Sequence, residues 1–162
     1  MGIKAAAADV TFMNELFTTA EAEAHRLGDE MPGGEHLLLA ALAIQDASGR
    51  EALHSAGSDA DAFRAAVAEQ HAQALRAVGV HAQDAAAIDG ITPGPFRSSA
   101  AAQQVFQRAV ALSKTRRPRR LRTADVVRAV AERDGGTAAR ALAALGIDRT
   151  ALIAAADTAA ST

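Results

Sequence analysis

The 162-residue chain has no cysteine, tryptophan or tyrosine, only four prolines, and phenylalanine as its sole aromatic, five times. The missing cysteine excludes a disulfide scaffold, a thiolate metal site and a cysteine nucleophile. With so few aromatics, no platform exists on which successive bases could stack. No stretch reaches the roughly 20 apolar residues of a membrane-spanning helix. Met1-Gly2-Ile3-Lys4-Ala5 opens without the apolar run of a secretory signal, so a cytoplasmic location is expected. Lysine occurs twice, at Lys4 and Lys114, and neither follows a glycine. A phosphate-binding loop ending in Gly-Lys-Ser/Thr is therefore excluded, and ATPase chemistry with it. Formal net charge is -2, so the chain as a whole does not attract polyanions.

Alanine dominates what is present, and hydrophobic residues make up 49% of the chain. Alanine is the best helix former and proline the worst, so an all-α fold of closely approaching helices is expected. The chain also repeats itself. Ala52-Leu53-His54-Ser55-Ala56-Gly57 returns 89 positions later as Ala141-Leu142-Ala143-Ala144-Leu145-Gly146. The same offset pairs Leu16-Phe17 with Val105-Phe106, and Leu37-Leu38 with Val126-Val127. One gapless offset across three segments points to a duplicated helical unit.

Residues 1–9 read as a flexible leader. The first repeat spans 10–79, with helices over about 11–28, from about 35, over about 49–56 and over about 59–79. Gly28 and Gly57 stop two of them, and Ser58 or Asp59 caps the fourth. The second helix is apolar nearly all round, as a central buried helix should be. Residues 80–97, with Gly90, Pro93, Gly94 and Pro95, read as a linker. The second repeat, 98–160, restarts at Ser98 or Ser99. Thr123 and Asp148 are its further expected caps, and the tail from Ala156 is expected to fray.

Leu27-Gly28, then Gly33-Gly34-Glu35-His36-Leu37-Leu38-Leu39-Ala40-Ala41-Leu42, then Ala52-Leu53-x-x-Ala56-Gly57 resembles the first Clp repeat. Thr123, Val126-Val127 and Ala138-Ala139-Arg140-Ala141-Leu142-x-x-Leu145-Gly146 resemble the second. Over residues 10–160 the chain is similar to the N-terminal domain of Clp/Hsp100 unfoldases, the ClpC type above all. The resemblance implies two pseudo-symmetric four-helix Clp repeats packed as one domain, here without the ATPase modules. It also implies a non-catalytic receptor for Clp substrates and adaptors, and in some members for phosphoarginine marks. An adaptor, decoy or modulator acting with a Clp ATPase/protease complex is the expected role. The chain departs from the family pattern in places. Asp9-Val10 replaces an aromatic-Thr pair, Gly34 stands for the Thr of Gly-Thr-Glu-His, and that motif becomes Arg122-Thr123-Ala124-Asp125 in the second repeat. With Ala124 at the acidic position, one phosphoarginine site at most is expected, centred on Glu35.

Each candidate carries two readings. Gly34, Glu35 and His36 open a helix, where free N–H groups favour an anion and a carboxylate could pair with a guanidinium. Alternatively, Glu35 complements the helix dipole and His36 packs as a cap. Thr123 and Asp125 are their second-repeat counterparts. Phe96, before the fifth helix, is either junction packing or a peptide contact. Lys114, Arg116, Arg117, Arg119, Arg120 and Arg122 form a basic loop that either is solvated or docks an acidic partner, with nucleic acid as the alternative partner. The five histidines (His25, His36, His54, His71 and His81) show no metal-ligand spacing, so no metal or cofactor is expected. No nucleophile–base pair is in evidence, and no enzyme activity is expected.

Overall fold

The computed structural model describes residues 2–79 and 98–162, and among them every regular element is a helix. In order these are α1 (Gly2–Arg26), α2 (Gly34–Ala43), α3 (Ser48–Ser55), α4 (Ala60–Ala77), α5 (Ala100–Ser113), α6 (Thr123–Ala131), α7 (Thr137–Ala144) and α8 (Arg149–Ser161). The linker expected over 80–97, and Phe96 within it, lies outside the described residues. Helices α2, α3 and α4 begin at Gly34, Ser48 and Ala60, and α6, α7 and α8 begin 89 positions later at Thr123, Thr137 and Arg149. No described helix is long and apolar enough to cross a membrane.

Local chemistry accounts for most boundaries. Asp59, Ser99 and Asp148 each accept a hydrogen bond from a first-turn N–H, satisfying a donor the helix itself leaves free. Gly28 follows α1 at φ +82°, and the next N–H, that of Asp29, turns back to the carbonyl of Ala24 at 2.9 Å. Two ends differ from the sequence reading. The segment read as a leader is helical from Gly2, in keeping with its alanines. The tail read as frayed continues α8 to Ser161, because Ala156, Ala159 and Ala160 are buried.

The core runs along α2 and α6, which pack on each other. Leu37, Leu38, Leu39 and Leu42 of α2 are buried on all sides, as are Val126, Val127 and Val130 of α6. Each such leucine contributes about 1.5–3 kcal/mol, more than a typical cap of about 1 kcal/mol. Helix α1 lies on α2, and α5 lies on α6. The remaining helices cross over: α3 packs on α6 and α8, while α7 packs on α2 and α4. Phe17 and Phe106, partners in the sequence repeat, meet edge to face with ring centroids 5.2 Å apart. Arg50 of α3 donates to the carbonyls of Leu42 (3.0 Å) and Ile44 (2.6 Å), closing the C-terminal end of α2.

Where α3 meets α6, two helix N-termini are buried against each other. The Thr123 and Ala124 N–H groups donate to Asp46 Oδ2 (2.8 Å) and Ser48 Oγ (3.0 Å). In return, Gly49 N–H donates to Thr123 Oγ1 at 2.8 Å, and that hydroxyl donates to the Asp46 carbonyl at 2.9 Å. Thr123 was expected to cap its own helix. Instead Arg122 is the N-cap residue, and the Thr123 hydroxyl is spent on α3. A side chain at Gly49 would place its Cβ 3.1 Å from Thr123 Cβ and 3.2 Å from Val127 Cγ2, both fully buried.

Two predictions follow from this contact. Gly49→Ala should destabilise by about 1–3 kcal/mol through overpacking, read as a lower urea midpoint; an unchanged midpoint would show that the contact can relax. Burial pushes the Asp46 carboxyl up, but hydrogen bonds from Thr123 and Ser48 N–H and from Arg122 outweigh it, so its pKa lies below the usual carboxylate range. Its stabilising contribution is therefore fully present above the unfolded value of about 3.9 and is lost as pH falls through the lower folded value. Asp46→Asn should lose less stability than the parent between neutral pH and pH about 2. Parallel acid curves for the two proteins would refute this.

Candidate functional site

The first-repeat candidates sit where the α1–α2 turn meets α4. Glu23 is buried near the end of α1, and Arg64 of α4 grips it with contacts of 3.0 and 3.3 Å. That pair ties α4 to the end of α1, and His71, two turns on, reaches Asp29 in the turn that follows Gly28. At the start of α2, Gly33 N–H donates to His36 Nδ1 at 2.8 Å. The Glu35 carboxylate folds back over Gly33, where an added Cβ would lie 2.7 Å from its Oε2. Gly34 and His36 are buried, and Glu35 is half-buried.

Four polar side chains converge there. His71 Nε2 lies 3.4 Å from Asp29 Oδ2 and 3.8 Å from Glu35 Oε1. His36 Nε2 lies 3.0 Å from Asp29 Oδ2. Neither of these two atoms has a hydrogen-bond partner among the described residues. Burial pushes the Glu35 carboxyl up, but the interaction with His71 and its own backbone N–H outweigh it and leave it below the usual carboxylate range. The close approach of Glu35, at 3.8 Å an ionic contact longer than an ordinary hydrogen bond, raises the His71 pKa. Partial burial opposes that rise, and Asp29 adds to it.

The second-repeat candidates have a different environment. Arg122 N–H donates to Asp125 Oδ2 at 2.9 Å, the same backbone-to-third-residue closure that Gly33 makes with His36. Asp125 is buried, and the guanidinium of Arg116 donates to the same oxygen at 2.6 Å. Ala124 occupies the Glu35 position, and Thr123 is fully buried in the α3 contact. This helix start is closed by the chain's own arginine.

The basic loop thus divides in two. Arg116 is tied to Asp125, and Arg122 reaches Asp46 at 3.4 Å. Lys114, Arg117, Arg119 and Arg120 are exposed. Beside the loop, Val10, Met13, Phe106, Val110 and Leu121 line a shallow groove of about 160 Å³.

Sequence reasoning missed Asp29 and His71 as members of the first cluster. A signal for His71 was present: Phe63, Val67 and His71 recur every four residues, which puts a histidine on the inward face of α4. Arg116→Ala should cost about 1–3 kcal/mol, because it strips a buried carboxylate of its partner. Arg119→Ala, at an exposed position, should change stability by less than about 0.5 kcal/mol. Equal urea midpoints for the two variants would contradict this division of the loop.

No protein-family model matches the chain, and no curated protein matches it. Among solved structures it is similar to the crystal structure of the N-terminal domain of the caseinolytic protease associated chaperone ClpD from Arabidopsis thaliana. The two are 25% identical, the match covers 89% of this chain and 91% of that one, and the TM-score is 0.59. The chain has the fold of a Clp N-terminal domain.

Proposed function

We propose that this chain is a non-catalytic protein-docking module of the Clp proteolysis system, built from two Clp repeats, that acts as an adaptor, decoy or modulator. The observation that carries this reading is the likeness to a Clp chaperone N-terminal domain over about nine-tenths of both chains. These residues contain no phosphate-binding loop, so any ATP-driven step belongs to the machinery the module joins.

The surface that suits a partner is the exposed half of the basic loop together with the groove beside it. Lys114, Arg117, Arg119 and Arg120 supply positive charge, and Val10, exposed at the groove, supplies apolar area. The complementary ligand is an acidic segment with an apolar anchor, contributed by a Clp ATPase, adaptor or substrate. The narrower form of the proposal, recognition of a phosphoarginine mark, rests on Glu35 alone, since Ala124 replaces the second acid. A guanidinium there would take the place of His71 beside Glu35.

Docking is tested by fluorescence anisotropy of the chain against a ClpC-type ATPase ring and its adaptors. Binding should weaken with added salt. Reversing Arg117, Arg119 and Arg120 to Glu should weaken it by about tenfold, or 1.4 kcal/mol. No binding to any Clp component would end the proposal. Binding only to labelled duplex DNA, with a steep salt slope, would favour a nucleic-acid module instead. The narrower form is tested by NMR titration with free phosphoarginine. Shifts at Gly34 and Glu35 that vanish in Glu35→Ala support it, and an unmoved spectrum ends it.

A further inference from the structure

We propose that Asp29, Glu35 and His71 form a binding site for a divalent transition metal ion of the zinc type, with His36 holding Asp29 in place behind it. One ligand atom from each of the three lies within 4.8 Å of the other two. Zinc bonds of about 2.0–2.2 Å to oxygen and nitrogen place tetrahedral ligands roughly 3.4 Å apart. Asp29 Oδ2 and His71 Nε2 already stand at 3.4 Å, and Glu35 Oε1 lies 3.8 Å from His71 Nε2.

The second observation is independent of the cluster. His36 is 1% exposed, and its Nε2 has no hydrogen-bond partner among the described residues, nor has the adjacent Asp29 Oδ2. Because His36 Nδ1 accepts the Gly33 N–H, the neutral ring carries its proton on Nε2, 3.0 Å from that oxygen. A buried N–H and a buried carboxylate oxygen, side by side and both unsatisfied, are costly as they stand. A cation on Asp29 removes the cost: the carboxylate turns onto the metal, and the His36 N–H supports it from behind, as outer-shell donors do.

The donor set selects the ion. One imidazole and two carboxylates suit zinc and its neighbours. Calcium asks for six to eight oxygens, and magnesium dehydrates reluctantly. Three protein ligands leave a fourth position for water. Nearly all of α2, the whole of α3 and the first part of α4 separate His71 from the other two ligands in sequence, so the ion would pin the α1–α2 turn to α4. The site stands apart from the docking proposal, and either can fail alone. Only the phosphoarginine form of that proposal shares Glu35 with it, and there bound metal would exclude a guanidinium.

The test is calorimetric and NMR titration of the chelator-treated full chain with zinc chloride. One equivalent should bind, with shifts confined to residues 28–36 and the neighbourhood of His71, and the melting temperature should rise. Magnesium and calcium should produce neither effect at equal concentration. His71→Ala and Asp29→Asn, which sit at partly exposed positions, should each weaken binding by at least about tenfold. Absence of zinc binding would overturn the proposal. So would binding that both substitutions leave intact, since the ion would then sit on other histidines.

Discussion

Helix N-termini carry N–H groups that the helix cannot satisfy, and here two of them are buried face to face. At the junction of α3 and α6, the N–H groups of Ser48, Gly49, Thr123 and Ala124 all need acceptors, and all four residues are buried. Asp46 serves two of them, and the hydroxyls of Ser48 and Thr123 serve the others. The arrangement is reciprocal, because each half supplies what the other lacks. Glycine at position 49 suits the contact, because the backbone of α3 passes close against Thr123 and Val127. The crossing of α3 onto α6 and α8 depends on this contact, and so the halves interleave rather than merely abut.

The starts of α2 and α6, 89 positions apart, close alike but hold different chemistry. Both α2 and α6 begin with a backbone N–H that returns to the third residue of the helix, His36 in one and Asp125 in the other. A buried carboxylate needs a cation, and Arg116 provides one, which seals the α6 end. At the α2 end the third residue is His36, whose Nδ1 accepts the Gly33 N–H. Its neighbours Asp29, Glu35 and His71 are left partly open to solvent. The chemistry available at the start of α2 therefore differs in kind from that at the start of α6.

Much of this was legible in the residues. Asp59, Ser99 and Asp148 as caps, and Gly28 and Gly57 as stops, follow from the local needs of a helix end, and the apolar surround of α2 marked it as central. The role of Thr123 was not legible. A threonine before a helical run signals a cap, and only the approach of α3 redirects its hydroxyl. The tail from Ala156 was misjudged for a similar reason, since alanine at a chain end shows no sign of burial until α3 and α6 lie beneath it. Arg116 and Arg122 read as part of one basic loop, although their partners Asp125 and Asp46 convert them into internal fastenings.

Sequence by itself determined the helical class, those helix ends that have their own cap or glycine stop, and the 89-residue echo, because propensity, capping and periodicity act over a few residues and leave local marks. Tertiary structure decided which helix starts are buried, which arginines stay exposed, and that His71 meets Asp29 and Glu35. Those outcomes depend on distances of 3–4 Å between groups tens of residues apart, and on a burial that no local pattern records.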